Sequence, residues 1–213
     1  MMTVIEIGKR DRTREMGVPK EQAARNRQTI IDTASRVFRE RGVDGVGVAD
    51  LMKEAGFTHG GFYNHFASKD SLAGEACASV FATSLAGLQD VIAADAAPGS
   101  TSFRAVLEAY LSPGHCDSPG AACPVSTLAA DVARQGGTMQ AAYAEGIEQF
   151  LQAFACHFAR DAQAGLPPEE ARRRAIGLLG HLVGTIVLAR GVGAADPRLA
   201  EEILAEGRRR LPA

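Results

Sequence analysis

The chain has 213 residues, of which 46% are hydrophobic and 23% charged, and its formal net charge is -2. That is enough apolar material for one good core or two small ones. It excludes a disordered chain and a polycation that would grip nucleic acid over its whole surface. Positive charge is instead local: residues 1–27 carry Lys9, Arg10, Arg12, Arg14, Lys20, Arg25 and Arg27 against Glu6, Asp11, Glu15 and Glu21. The N-terminus is charged and lacks the apolar core of an export signal. The longest mostly apolar run, Ala175 to Ala189, is interrupted by His181 and reads as too short to span a bilayer. Cys77, Cys116, Cys123 and Cys156 lack CxxC pairing, so reduced thiols and a cytoplasmic protein with no membrane partner are expected.

In chain order, residues 1–18 read as a flexible arm. A first helix is predicted from Pro19 or Lys20 to Arg41, with Ile30, Ala34, Val37 and Phe38 as its inner stripe and Gly42 as its stop. Val48, Leu51, Met52 and Ala55 make a second, short apolar stripe, stopped by Gly56. Thr58 is placed to cap a third helix with its hydroxyl, and in that helix Phe62 and Phe66 turn inward. Ser68 caps a long helix running to about Ala94. Helices are then expected over Thr101–Leu111, Val125–Arg134, Thr138–Ala164, Glu169–Arg190 and Pro197–Arg210, with a proline- and glycine-rich loop at Ser112–Pro124. The prediction is all-α, about nine helices: a head over 19–67 and a larger helical body over 68–213.

Helix, glycine-containing turn, helix is the helix-turn-helix pattern, whose second member enters the DNA major groove. The run AGFTHGGFYNHFASKDSL sharpens it. Ala55, Gly56, Gly60, Tyr63, His65, Phe66, Ser68, Lys69 and Leu72 resemble the DNA-binding signature of the tetracycline-repressor (TetR) family of bacterial regulators. The likeness reaches upstream to about Gln28 and covers roughly the first third of the chain. It implies a dimer that grips double-stranded operator DNA, a small-molecule effector held in the body, and release of DNA when that effector binds.

Base contact needs exposed side chains near the start of the recognition element, which selects Thr58, His59, Gly60, Gly61, Tyr63 and Asn64. His59 and Asn64 can address base edges. The resemblance implies that Tyr63 and Lys69 meet phosphate, and the Thr58 and Gly47 N–H groups and Arg27 are further phosphate candidates. Two departures stand out. Gly61 replaces the hydroxyl or small side chain usual in the family, and Gly47–Val48 stand where a capping threonine is common. His65, Phe57, Phe62 and Phe66 read as core of the head.

For the effector, the resemblance implies a cavity among the helices from Thr101 to Ala164 and the linking helix. Its apolar and aromatic candidates are Leu85, Leu88, Phe103, Leu107, Tyr110, Tyr143, Ile147 and Phe150. No charges converge there in the sequence, which favours an apolar or weakly polar ligand. Cys116, between His115 and Asp117, and Cys123 are candidate sensing thiols, because a thiolate beside histidine reacts with electrophiles; two inert cysteines are the plainer reading. The glycine-spaced apolar helix Glu169–Arg190 and the last helix are expected to pair with their copies in a homodimer. Cysteine spacing does not suit zinc, and no metal, cofactor or catalytic residue is expected. A Cys–His hydrolase using Cys116 with His115 or His181 is the competing class, though no GxSxG elbow is present; a purely helical interaction module is a third.

Overall fold

The structure, a computed structural model, describes residues 20–95, 102–160 and 165–212. The expected arm at residues 1–18 lies outside them. Among the described residues there are nine α-helices and one 3-10 turn, and no strand.

Helix α1 (Lys20–Arg41) buries Ile30, Ile31, Ala34, Val37 and Phe38 along one face. It ends at Gly42, whose φ of 76° is open to glycine at little cost, and the Gly42 N–H returns to Phe38 O at 2.9 Å. Helix α2 (Val48–Glu54) is about two turns long, held by Leu51 and Met52 in the core. Glu54 at its end receives Arg36 and Arg41 from α1, and the Arg36 hydrogen bond holds the Glu54 carboxyl below its ordinary pKa. The element after it corrects the sequence reading: His59–Asn64 is a 3-10 turn, not an α-helix. Its tighter i→i+3 pattern takes the Gly61 N–H onto the Thr58 carbonyl at 3.0 Å. That is the N–H a capping hydroxyl would have received, so Thr58 makes no side-chain cap. Ser68 does cap as expected, its hydroxyl accepting from Ser71 N at 3.0 Å, and opens α3 (Lys69–Ala94).

Helix α3 belongs to head and body alike. Its first turns place Leu72 and Ala76 against α1, and Ser35 donates to Ala76 O at 3.0 Å. The rest lies along α7 (Gly137–Arg160) at close range. A Cβ on Gly146 would enter the Phe81 ring, and one on Gly74 would collide with Thr138. Helices α4 (Ser102–Tyr110) and α6 (Pro124–Gln135) flank this pair. Between them the expected loop contains a short helix, α5 (Pro113–Cys116), because Ser112 accepts from His115 N at 3.2 Å and Pro113 suits a first helical position.

Helices α8 (Pro168–Gly193) and α9 (Pro197–Arg209) close the body. By length and composition α3 and α8 could each cross a bilayer, which corrects the expectation that the apolar run in α8 is too short. Both have other work here. Leu178, Leu179, Leu182 and Ile186 of α8 are buried in a core continuous from Ile30 in the head to Leu211. Each such side chain taken from water contributes about 1.5–3 kcal/mol.

Candidate functional site

Two places hold polar groups that the fold does not use. The first is the outer face of the head. Phe62 is fully buried and Phe66 nearly so, which fixes the 3-10 turn on α1 and α2. The residues between them must then face out. Tyr63 is 66% exposed, standing edge-on to Phe62 at 5.2 Å, and His59 and Asn64 are exposed beside it. Among the described residues no hydrogen bond or ion pair engages the polar atoms of His59, Tyr63, Asn64 or Lys69. Gly60 and Gly61 have negative φ, and a Cβ at Gly60 would meet nothing. At Gly61 it would meet Thr58 Oγ1 at 3.7 Å, an ordinary contact. Gly47 is exposed at the start of α2, its carbonyl accepting from Leu51 N at 3.0 Å. Arg27 differs from the rest of the predicted set. It pairs with Glu75 at 2.7 Å, donates to His65 O at 3.4 Å and covers the Phe66 ring at 4.6 Å. Its guanidinium is thus committed inside the head. Phe57 and His65 are half-buried at the rim of the small core.

With this geometry in view, residues 30–76 match the family described as bacterial regulatory proteins, tetR family. Over that segment the chain is similar to this family of regulators. The chain is 39% identical over 56 residues to the HTH-type transcriptional regulator AcrR of Shigella flexneri, 26% of each chain. It is 38% identical over 55 residues to the HTH-type transcriptional repressor DhaR of Mycobacterium sp. (strain GP1), 26% of this chain and 28% of that one. The matched segment thus spans about a quarter of these relatives' length. The whole fold is similar to that of the transcriptional regulator FadR from Bacillus subtilis, solved with stearoyl-CoA. The TM-score is 0.59 at 17% identity, over 87% of this chain and 99% of that one.

The second place lies in the body behind the head. A half-open cavity of about 360 Å³ is lined by α3, α4, α5, α7 and α8 and the loop before α6. Leu88, Val91, Val106, Leu107, Phe150, Phe154, Leu179 and Leu182 give it apolar walls; Ser84, Tyr110, His115 and Cys123 are its polar points. Five of the predicted ligand residues meet there: Leu88, Leu107, Tyr110, Cys123 and Phe150. The other five are elsewhere. Leu85 lines a separate groove with Gln149 and Cys156. Phe103 stacks on His157 at 3.8 Å between centroids, and Ile147 packs on the core. Tyr143 spends its hydroxyl on Val125 O at 2.8 Å, and burial pushes its pKa up to about 12. Cys116 faces a different depression, formed with Pro113, Ala189 and Leu204.

Burial raises the pKa of both Cys116 and Cys123, the opposite of what a reactive thiolate needs. Cys116 and Cys123 also line different hollows. The other histidine of the hydrolase reading, His181, is bonded to Gly207 O at 2.9 Å on α9.

Sequence reasoning missed Ser84 and Val91 of α3 as cavity walls, and also Leu179 and Leu182, since it gives α8 wholly to self-association. It gave no role to Arg190, the only arginine or lysine between Ile176 and Val192 in an apolar helix.

Proposed function

We propose that this chain is a ligand-responsive DNA-binding transcriptional regulator, and specifically a repressor that works in the cytoplasm. It acts as a homodimer on a palindromic operator and leaves it when a small molecule occupies the body cavity. The observation that carries this reading is the set of uncommitted polar groups on the outer face of the head. His59 and Asn64 are offered to base edges, Tyr63 and Lys69 to phosphates, and Thr58 and Gly47 offer backbone N–H groups from two helix starts. Gly60 and Gly61 bring the backbone itself close to the duplex. The repressor DhaR is named as such, and FadR is solved with an acyl thioester; both are in keeping with this class.

Pairing of copies rests on α8. Ile176, Val187 and Leu188 are 51%, 46% and 62% exposed. On the same helix a Cβ at Gly177, Gly180 or Gly184 would meet nothing, so a partner backbone can approach. Two heads held by such a dimer would reach half-sites about 34–36 Å apart.

A path joins cavity and head. Cys123 and Ala121 line the cavity, and the carbonyl of Ala122 between them accepts from Arg39 of α1 at 2.7 Å. Nearby, the Asp131 carboxylate of α6 accepts from the Val43 N–H at 3.3 Å. A ligand that shifts this loop therefore moves α1, and with it the recognition turn.

The experiment is a gel shift against DNA from upstream of the protein's own gene, repeated across salt. Affinity is expected to fall steeply with salt. Lys69→Ala should lower the salt slope by about 1 and weaken all sequences alike, whereas Asn64→Ala should change sequence preference. A flat salt response, or no shift, would overturn the reading.

A further inference from the structure

The cavity of the regulator reading has one end unlike the rest. Among the described residues three buried side-chain polar atoms lack a hydrogen-bond partner: the Tyr110 hydroxyl, His115 Nε2 and Arg190 Nη2. They belong together. The Tyr110 and His115 rings lie 4.5 Å apart, both lining the cavity, and Arg190 stands close enough behind them to help lower the His115 pKa, after burial itself.

Native proteins rarely leave buried polar atoms unpaired, because each costs the desolvation it never recovers. The Tyr110 hydroxyl lies against Cys123 and Ser126, but no contact there has hydrogen-bond geometry, and the Ser126 hydroxyl instead donates to Cys123 O at 3.2 Å. Arg190 gives only its Nε, to Cys116 O at 3.0 Å. Among the described residues no carboxylate pairs with it, and no acidic side chain lines the cavity. The contrast with Tyr143, whose hydroxyl is used, is direct.

The chemistry of these atoms favours an acceptor. A guanidinium only donates and keeps its charge, and a tyrosine hydroxyl can donate as well as accept. Arg190 is half-buried, its Nη2 is buried without a partner, and an incoming anion would supply one. One cation calls for one negative charge. Apart from Ser84 and Cys123 the remaining walls are apolar. We propose that the cavity takes a small monocarboxylic acid, its apolar body between Leu88, Leu107 and Phe150 and its carboxylate received by Tyr110, His115 and Arg190. This rests on the reading of the cavity as the effector site.

The test uses three probes with one apolar body: 4-phenylbutyrate, 4-phenylbutyramide and 4-phenylbutylamine, each titrated into the full chain by calorimetry at neutral pH. The acid is expected to bind about tenfold or more tightly over the amide, the size of one charge-assisted contact, with the amine weakest. Tyr110→Phe should cut that preference severalfold, and Arg190→Gln should remove most of it. Arg190→Gln could disturb α5 through the lost bond to Cys116; Tyr110→Phe deletes only an unpartnered hydroxyl and carries the test alone if the former fails to fold. Equal binding of acid and amide, preference for the amine, binding of none of the three, or a preference untouched in both variants would each overturn the proposal. The gel shift separates the two readings: DNA binding with a charge-blind cavity leaves the regulator and removes the acid, whereas an acid-selective cavity without DNA binding does the reverse.

Discussion

Head and body both leave polar groups unused, but they aim them in opposite directions. In the head, His59, Tyr63 and Asn64 point to solvent, where an unused donor costs almost nothing because water serves it. In the body, Tyr110, His115 and Arg190 point inward, where nothing serves them. Single glycines mark the same contrast. Gly146 in the body sits where no Cβ fits, against Phe81, whereas Gly60 in the recognition turn sits where a Cβ would meet open space. Spare chemistry on a surface is ready for a large rigid partner, and spare chemistry in a cavity for one small molecule.

The comparison breaks most severely if the head loses the core that orients its face. Phe62 is fully buried in the core of the head, with Phe38, Leu51 and Met52. Phe62→Ala is expected to cost about 3–5 kcal/mol and to abolish DNA binding. Denaturant unfolding followed by circular dichroism would check it, and a loss below about 1 kcal/mol would mean that other contacts hold the turn.

A smaller effect should separate the two regions without unfolding either. Arg39 joins them: burial lowers its pKa, and it donates to Ser35 O within α1 and to Ala122 O beside the cavity. Coupling of ligand to DNA between sites is typically about 1–3 kcal/mol. In Arg39→Met, 4-phenylbutyrate should still bind, but its effect on operator affinity should shrink towards none. Retention of the full effect, measured by gel shift with and without the probe, would show that the signal takes another route, such as the Thr138 hydroxyl donating to Asp70 O at 2.9 Å.

The two regions also differed in how much their sequence disclosed. The head was legible because local chemistry dictates it. Gly42 and Gly56 stop helices at φ of 76° and 84°, Ser68 caps one, and spacing alone puts Phe62 and Phe66 inside. What was misread there, the 3-10 turn after Thr58, depends on whether one N–H goes to a hydroxyl or to a carbonyl, a choice of a few tenths of an ångström. In the body, helical periodicity identified the helices, and the family resemblance pointed to five of the fourteen residues that line the cavity. It could not bring Tyr110, His115 and Arg190 together, because they come from three helices and up to eighty residues apart. Nor could it tell Tyr110 from Tyr143. Both are aromatic points on apolar helices, and only the packing decides that one hydroxyl bonds Val125 O and the other makes no hydrogen bond.

The smallest effect bears on the glycines of the recognition turn. Neither Gly60 nor Gly61 has positive φ, and neither is crowded by its own chain. Where the native backbone suits alanine, replacing glycine stabilises by about 0.4–1 kcal/mol, through the unfolded chain's lost freedom. Gly60→Ala and Gly61→Ala should therefore each raise the melting temperature by a few degrees at most. If the glycines serve close approach to the duplex, the same methyl groups should weaken operator binding, so that stability and affinity move in opposite directions. Thermal melts and gel shifts on the two variants read both quantities. Higher stability with unchanged affinity would mean that the backbone of the turn does not touch DNA, and that recognition is left to the side chains of His59, Tyr63 and Asn64.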